Sequence, residues 1–141
     1  MRGNVILDTG PLVAIIHRDD QYHAWSTEQT AQITPPFLTC EAVLSEAYFL
    51  LMGIPNARQS LVKLIVSKLV QVRFTFTEEA EPIAKLLNRY DNVPMSFADA
   101  CLVRTCEQLS GATLFTTYSD FTIYRKHGRQ VIPVIMPNVT R

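Results

Sequence analysis

The chain has 141 residues, of which 48% are hydrophobic and 18% are charged, and its 13 basic residues balance 13 acidic residues. This composition is typical of a globular domain with a sizeable core, and it excludes disordered, collagen-like and low-complexity chains. The balanced charge gives no overall basic field, so a nucleic-acid partner would need local basic patches. We therefore expect one domain over residues 1–141.

The sequence predicts neither a disulfide framework nor a membrane span. The 3 cysteines are odd in number and have no metal-site spacing, which is typical of a reducing compartment. The N-terminal residues lack the apolar stretch of a secretory signal, and no run approaches the ~18 apolar residues of a transmembrane helix. We expect a cytoplasmic protein without membrane association.

Short apolar runs alternate with longer segments of helical period along the chain. Strands are predicted at 5–7, 69–74, 113–115 and 131–135, and the run at 37–39 is either a short strand or the entry to the next helix. Helices are predicted at 11–16, 22–32, 40–52, 57–68, 78–90 and 96–109. This alternation indicates the α/β class, with a parallel sheet of four or five strands flanked by helices.

Two aspartates follow predicted strands. Asp8 comes directly after the run at 5–7 and precedes Gly10-Pro11, which indicates a tight turn into a helix. Asp120 comes soon after the run at 113–115. Open α/β sheets place their sites at the carboxyl ends of the strands, although a role in a turn or a helix cap explains each aspartate equally well.

Two further acids lie on predicted helices among apolar side chains. On a helical wheel Glu46 falls about 120° from the polar face, beside Phe49 and Leu50. Asp99 falls about 130° from the polar face of its own helix, where the spacing Ser96-x-x-Asp99 also fits a capping box. A carboxylate in apolar surroundings costs several kcal/mol unless it is paired, protonated or bound to a cation. Both acids are therefore candidate site residues, and a buried Arg partner is the alternative explanation for Glu46.

These four acids are expected to converge at one edge of the sheet. Converging carboxylates without a buried Lys or Arg would repel one another and have raised pKa values unless a hard cation neutralised them. Oxygen ligands suit Mg²⁺ or Mn²⁺, and such a cluster fits metal-assisted hydrolysis of a phosphodiester. We predict a catalytic and metal-binding site formed by Asp8, Glu46, Asp99 and Asp120.

The motifs around these acids resemble the PIN domain, in particular the VapC-type toxin ribonucleases of bacterial toxin–antitoxin pairs. The likeness is carried by VILDTGPLVA at 5–14, Glu46 in an apolar helix, SFADA at 96–100 and the segment 116–121. The resemblance implies a single domain with a twisted parallel sheet, and RNA cleavage with Mg²⁺ or Mn²⁺ held by Asp8, Glu46 and Asp99. It also implies a homodimer and a small antitoxin protein as partners.

The fourth motif departs from the family pattern. Tyr118 stands where the family usually has a carboxylate, so only Asp120 remains as an acid in this loop. The leading hypothesis is a metal-dependent endoribonuclease toxin. The alternative is a catalytically weak or inactive PIN-like module that binds RNA or a protein partner. An aspartic protease, which Asp8-Thr9-Gly10 also suggests, is disfavoured because that fold is almost entirely β.

Two weaker signals concern partners. A basic loop follows the last acidic motif, at Arg125, Lys126, His127 and Arg129. These residues are as consistent with binding a nucleic-acid phosphate backbone as with an ordinary solvent-exposed loop. The segment 54–69 carries more apolar surface than a small sheet needs, and this surface could be buried in a dimer or an antitoxin groove. The residues concerned are Ile54, Leu61, Leu64, Ile65 and Leu69.

Overall fold

The computed structural model describes residues 2–138, which contain a five-stranded parallel sheet. Seven strands lie within the described residues, in this sheet and in a separate hairpin. They are β1 (Val5–Leu7), β2 (Phe37–Thr39), β3 (Val70–Val72), β4 (Thr113–Phe115), β5 (Arg125–Lys126), β6 (Gln130–Val131) and β7 (Val134–Ile135). The sheet order is β3-β2-β1-β4-β7, while β5 and β6 form a separate antiparallel hairpin. The α/β prediction is confirmed, and the run at 37–39 is a strand.

Six α-helices lie within residues 2–138. They are α1 (Thr9–Ile16), α2 (His23–Thr30), α3 (Glu41–Leu50), α4 (Ala57–Val66), α5 (Ala80–Arg89) and α6 (Phe97–Gln108), and short 3-10 helices cover Phe76–Glu79 and Ser119–Thr122. Each predicted helix is present with shifted ends. Helix α1 begins two residues before Pro11. Proline is tolerated in the first turn of a helix because the N–H groups there have no intrahelical acceptor, so the N–H that proline lacks is not needed.

The predicted strand at 131–135 is two separate strands. Val131 belongs to β6 in the hairpin, whereas Val134 and Ile135 form β7 beside β4. Pro133 lies between them and has no N–H to donate to a ladder, although its carbonyl accepts a hydrogen bond from the Leu114 amide (2.9 Å). The prediction of one continuous strand is therefore wrong.

Strand β1 lies at the centre of the sheet, between β2 and β4. All of its residues are buried, which is typical of a parallel strand covered on both faces. The chain moves from β1 through β2 to β3 in one direction and then crosses back to β4. The strand order therefore reverses between β1 and β4, and open α/β sheets bind ligands at the carboxyl edge of such a reversal.

The apolar surface predicted between residues 54 and 69 is only partly exposed. Leu61 is buried in the core, so its assignment to an interaction face is wrong, whereas Ile65 and Leu69 are exposed. Cys40, Cys101 and Cys106 are buried and free. No helix among residues 2–138 has the length and apolar character needed to cross a membrane.

Candidate active site

Asp8 follows β1 directly and forms the N-cap of α1. The strand register aligns Leu7 with Phe115, so the next residues, Asp8 and Thr116, are neighbours at the sheet edge. The Thr9 amide donates a hydrogen bond to Asp8 Oδ1 and the Thr116 hydroxyl donates one to Oδ2, each at 2.7 Å. Asp8 is only 7% exposed, and both of its carboxylate oxygens are oriented by the fold.

Asp99 lies in the first turn of α6, where several hydrogen bonds fix its position. The predicted capping box is present: the Asp99 amide donates to Ser96 Oγ (3.0 Å), and the Ser96 amide donates to Asp99 Oδ2 (3.2 Å). The buried Tyr124 hydroxyl donates to the same Oδ2 at 3.0 Å. Because the described residues hold Asp99 through Oδ2, Oδ1 is available to a ligand.

Glu46 lies on α3 and contacts the turn that contains Asp8. The Thr9 hydroxyl donates a hydrogen bond to Glu46 Oε1 at 2.7 Å. As the helical wheel predicted, Glu46 lies beside Phe49 and Leu50, but all three side chains are exposed and line a cavity. The expected burial of Glu46 is therefore wrong, because its apolar neighbours form the wall of an open cavity and not part of the core.

The structure brings Asp8, Glu46 and Asp99 into the lining of one cavity of about 550 Å³. We call it the acidic cavity. Asp20 is a further acid in this lining. In the sequence Asp20 lies near His17, Asp19 and His23, a group whose spacing matches no standard metal site and which a helix cap explains. Asp20 accepts a hydrogen bond from the Tyr22 amide (2.8 Å), as an ordinary turn aspartate does. Among the described residues that line the acidic cavity, none is Lys, Arg or His.

The pKa of Asp8 is raised mainly by its burial, and the charge of the acidic cavity contributes less. Burial raises the pKa of Asp8 from 3.8 to about 6, and hydrogen bonds from Thr116 and Thr9 oppose this effect only in part. The negative charges of Asp99 and Glu46 are smaller contributions to the same rise. A proton or a divalent cation would relieve this repulsion.

The donor set fits a hard divalent cation. The three predicted acids offer only oxygen ligands, which suit Mg²⁺ or Mn²⁺ rather than a soft metal. As the side chains stand, no group of three or more His, Cys, Asp or Glu residues within 2–138 is arranged as a metal site. A shared ion would therefore require the acidic side chains of the cavity to lie closer together.

Asp120 and Tyr118 lie in the loop after β4. Tyr118 lines the acidic cavity, whereas Asp120 is outside its lining. The Tyr118 hydroxyl donates a hydrogen bond to Asp120 Oδ2 at 2.6 Å, and this interaction raises the pKa of Tyr118 to about 12. The structure thus brings three of the four predicted acids together and places Asp120 beside them, held by Tyr118.

Hydroxyl and glycine residues that support the site were not among the predicted site residues. Thr116 follows β4 as Asp8 follows β1, and this equivalence of strand ends was the available signal for its role. Gly10 allows α1 to approach Thr117, which follows Thr116 in the loop after β4. A Cβ at position 10 would overlap the Thr117 hydroxyl. Thr9 contacts both Asp8 and Glu46, and its adjacency to Asp8 was the only hint in the sequence.

The predicted basic loop is the β5–β6 hairpin, which packs beside the C-terminal half of α6. The His127 amide donates to Glu107 Oε2 at 2.7 Å, and Glu107 is about 12 Å from Asp99 along the helix axis. The Arg125 guanidinium donates to backbone carbonyls of its own loop. None of the described basic residues of this hairpin lines the acidic cavity. Binding of a nucleic-acid phosphate backbone by the hairpin therefore stays a prediction.

Comparison with known proteins identifies the family. A family model of the PIN domain matches residues 5–126, whereas no curated protein matches this chain. The fold is similar to that of Mycobacterium tuberculosis VapC20, a sarcin–ricin loop cleaving toxin, with a TM-score of 0.66 and 23% sequence identity. That comparison covers 78% of this chain and 86% of VapC20. The family match spans most of the chain and confirms the resemblance seen in its motifs: this chain belongs to the PIN domain family.

Proposed function

We propose that this chain is a metal-dependent endoribonuclease that acts as the toxin of a toxin–antitoxin pair. The observation that carries the proposal is the acidic cavity at the carboxyl edge of the sheet, which Asp8, Glu46 and Asp99 line together and whose described lining has no cationic side chain. Membership of the PIN domain family supports a nuclease. The similarity to VapC20, a sarcin–ricin loop cleaving toxin, supports RNA as the substrate.

In this proposal Asp8, Glu46 and Asp99 hold Mg²⁺ or Mn²⁺. When bound, the cation supplies positive charge to the phosphate oxygens and lowers the pKa of the attacking water. The chain itself orients the carboxylates through neutral donors. Thr116 and the Thr9 amide hold Asp8, while the Thr9 hydroxyl connects Glu46 to the same turn.

Asp99 presents one oxygen to the acidic cavity in a defined orientation. Its Oδ2 accepts hydrogen bonds from the Ser96 amide and the Tyr124 hydroxyl, so rotation of the carboxylate is restricted. Oriented donors of this kind around metal ligands increase metal affinity and hold the ligands in a productive geometry. We therefore assign Oδ1 as the ligand atom of Asp99.

Asp120 is the proposed fourth ligand, and it would reach the acidic cavity only after release from Tyr118. The hydrogen bond between these side chains is short and exposed to solvent. The same bond favours a second candidate function, in which the fourth carboxylate never engages. The chain would then be a catalytically weak or inactive PIN-like module that binds RNA or a protein partner.

A homodimer and a small antitoxin protein are the proposed protein partners. Helices α3 and α4 present a groove of about 610 Å³ that is lined by the exposed side chains of Tyr48, Val62 and Val66 together with Arg58, Gln59 and Lys63. Exposed apolar surface of this kind is typical of protein interfaces. Sedimentation of the isolated chain over a range of concentrations tests the dimer.

The variant Asp99→Asn tests the nuclease proposal. We expect the wild-type chain to bind Mn²⁺ in calorimetry and to cleave single-stranded RNA when Mn²⁺ is present, and the variant to lose both properties with its circular dichroism unchanged. The matched control Asp91→Asn, which removes an exposed aspartate outside the acidic cavity, should retain both.

Two results would count against the nuclease proposal. Unchanged Mn²⁺ binding by Asp99→Asn would refute the assigned ligand. RNA binding by the wild-type chain without cleavage in Mg²⁺ or Mn²⁺ would favour the inactive module.

A further inference from the structure

Two exposed aromatic rings lie beside the acidic cavity. Phe76 is 39% exposed and Phe97 is 50% exposed, and their ring centroids are 4.9 Å apart at an interplanar angle of 51°. Phe97 is the first residue of α6 and stands between Ser96 and Asp99, which both line the acidic cavity. The two adjacent rings form an exposed aromatic surface beside the acidic cavity, and surfaces of this kind are used to bind ligands.

The two rings line a groove of about 510 Å³, which we call the aromatic groove. Phe74 and Ala98 add apolar surface to its lining. Glu46 belongs to the linings of both the aromatic groove and the acidic cavity. The aromatic groove and the acidic cavity therefore adjoin at Glu46.

We propose that the aromatic groove binds an unpaired nucleobase of the RNA, next to the phosphate that lies in the acidic cavity. This inference rests on the proposed nuclease function. Proteins bind single-stranded RNA by stacking bases on aromatic rings, because every base presents a flat aromatic face. Glu41 and Ser45, one turn apart on α3, also line the groove, and their oxygens can accept hydrogen bonds from the N–H groups of a base edge.

The lining favours a base over the other candidate occupants. A phosphate would be repelled by the carboxylates of Glu41 and Glu46. The apolar groove on α3 and α4, which contains Tyr48 and Val66, has a lining that shares no residue with the aromatic groove. A protein partner therefore has an apolar surface of its own, while the aromatic groove adjoins the proposed site of cleavage.

Binding of single-stranded RNA tests this inference in the wild-type chain with Mn²⁺ present, and a phosphorothioate backbone in both probes resists cleavage. The probes are a fluorescein-labelled RNA of about 12 nucleotides and a chain of abasic ribose phosphates of the same length. We expect Phe97→Ala to weaken RNA binding about 5- to 100-fold, the usual effect of losing one base stack. The same substitution should leave binding of the abasic chain unchanged.

Three further variants separate stacking from general damage to the fold. Phe97→Tyr retains the ring and should restore RNA binding, while Phe76→Ala changes a residue outside α6 and should weaken it. Ile123→Ala is the matched control, because Ile123 is also 50% exposed but lines neither the acidic cavity nor the aromatic groove. Its RNA affinity should equal that of the parent protein.

Failure of the aromatic groove can be distinguished from failure of the nuclease proposal. If Phe97→Ala has no effect, or weakens both probes equally, the nucleobase site is refuted, while RNA cleavage by the wild-type chain continues to support the nuclease. If the wild-type chain neither binds nor cleaves RNA, both proposals fail.

Discussion

Replacement of Asp8 by Asn is expected to stabilise the metal-free protein at neutral pH. Asp8 is buried and its pKa is about 6, compared with 3.8 for a free aspartate. The folded chain therefore binds this proton more tightly than the unfolded chain does. As the pH rises from about 4 to about 6, the folded state loses stability relative to the unfolded state, because a buried charge forms among other carboxylates.

The size of the effect follows from the two pKa values. A pKa raised from 3.8 to about 6 corresponds to about 3 kcal/mol of stability lost above the folded-state pKa. The new amide carries no charge and can still accept the hydrogen bond of the Thr9 amide. Thr116 must accept from the amide instead of donating to a carboxylate, which costs about 1 kcal/mol. We expect a net gain of about 1–2 kcal/mol at about pH 7.5.

Urea unfolding in the presence of EDTA measures this gain. The wild-type chain and Asp8→Asn are compared at about pH 7.5 and at about pH 4, where Asp8 in the folded wild type is protonated. The gain should be present at the higher pH and vanish or reverse at the lower pH. Asp91→Asn removes an exposed charge and should change stability by less than about 0.5 kcal/mol at both pH values.

Two results would refute the reasoning about Asp8. If Asp8→Asn destabilises the protein by the same amount at both pH values, the carboxylate acts as a structural hydrogen-bond acceptor and its charge is not unfavourable. If the gain is equal at both pH values, a cause other than titration of Asp8 explains it.

Three further outcomes are expected. Tyr124→Phe removes a donor from Asp99 Oδ2 and should weaken Mn²⁺ binding about 10-fold in calorimetry, with circular dichroism unchanged; equal affinity would exclude the positioning role. Gly10→Ala should displace Thr117, lower the free energy of unfolding by about 1–3 kcal/mol and reduce RNA cleavage. Added Mn²⁺ should raise the Tm of the wild-type chain in a concentration-dependent manner, and a Tm that does not respond would argue against a metal site.

Local features of the sequence predicted the parts of the site that depend on neighbouring residues. The apolar run of β1 followed by Asp8, and the spacing of Ser96 and Asp99, have the expected structure because strand length and capping are decided within a few residues. The hydrogen bond from Thr116 to Asp8 depends on the register of β1 and β4. That register joins positions more than 100 residues apart, so no local pattern reveals it.

Other features depend on which face of an element is covered, and a helical wheel does not contain this information. The wheel placed Glu46 beside Phe49 and Leu50, but packing leaves that face of α3 open to the acidic cavity. The hydrogen bond between Tyr118 and Asp120 likewise results from the path of a loop. A departure from the motif pattern marked this loop as unusual, while its geometry had to come from the structure.

The carboxylates elsewhere in the chain show what is distinctive about the acidic cavity. On the far half of α6, Arg104 forms ion pairs with Glu79 at 2.7 Å and with Glu107 at 3.2 Å. Those acids have a stabilising partner of opposite charge. By contrast, the described donors to Asp8 and Asp99 are neutral amides and hydroxyls. Neutral donors orient a carboxylate without cancelling its charge, so these two capping acids keep a negative charge that a bound cation would balance.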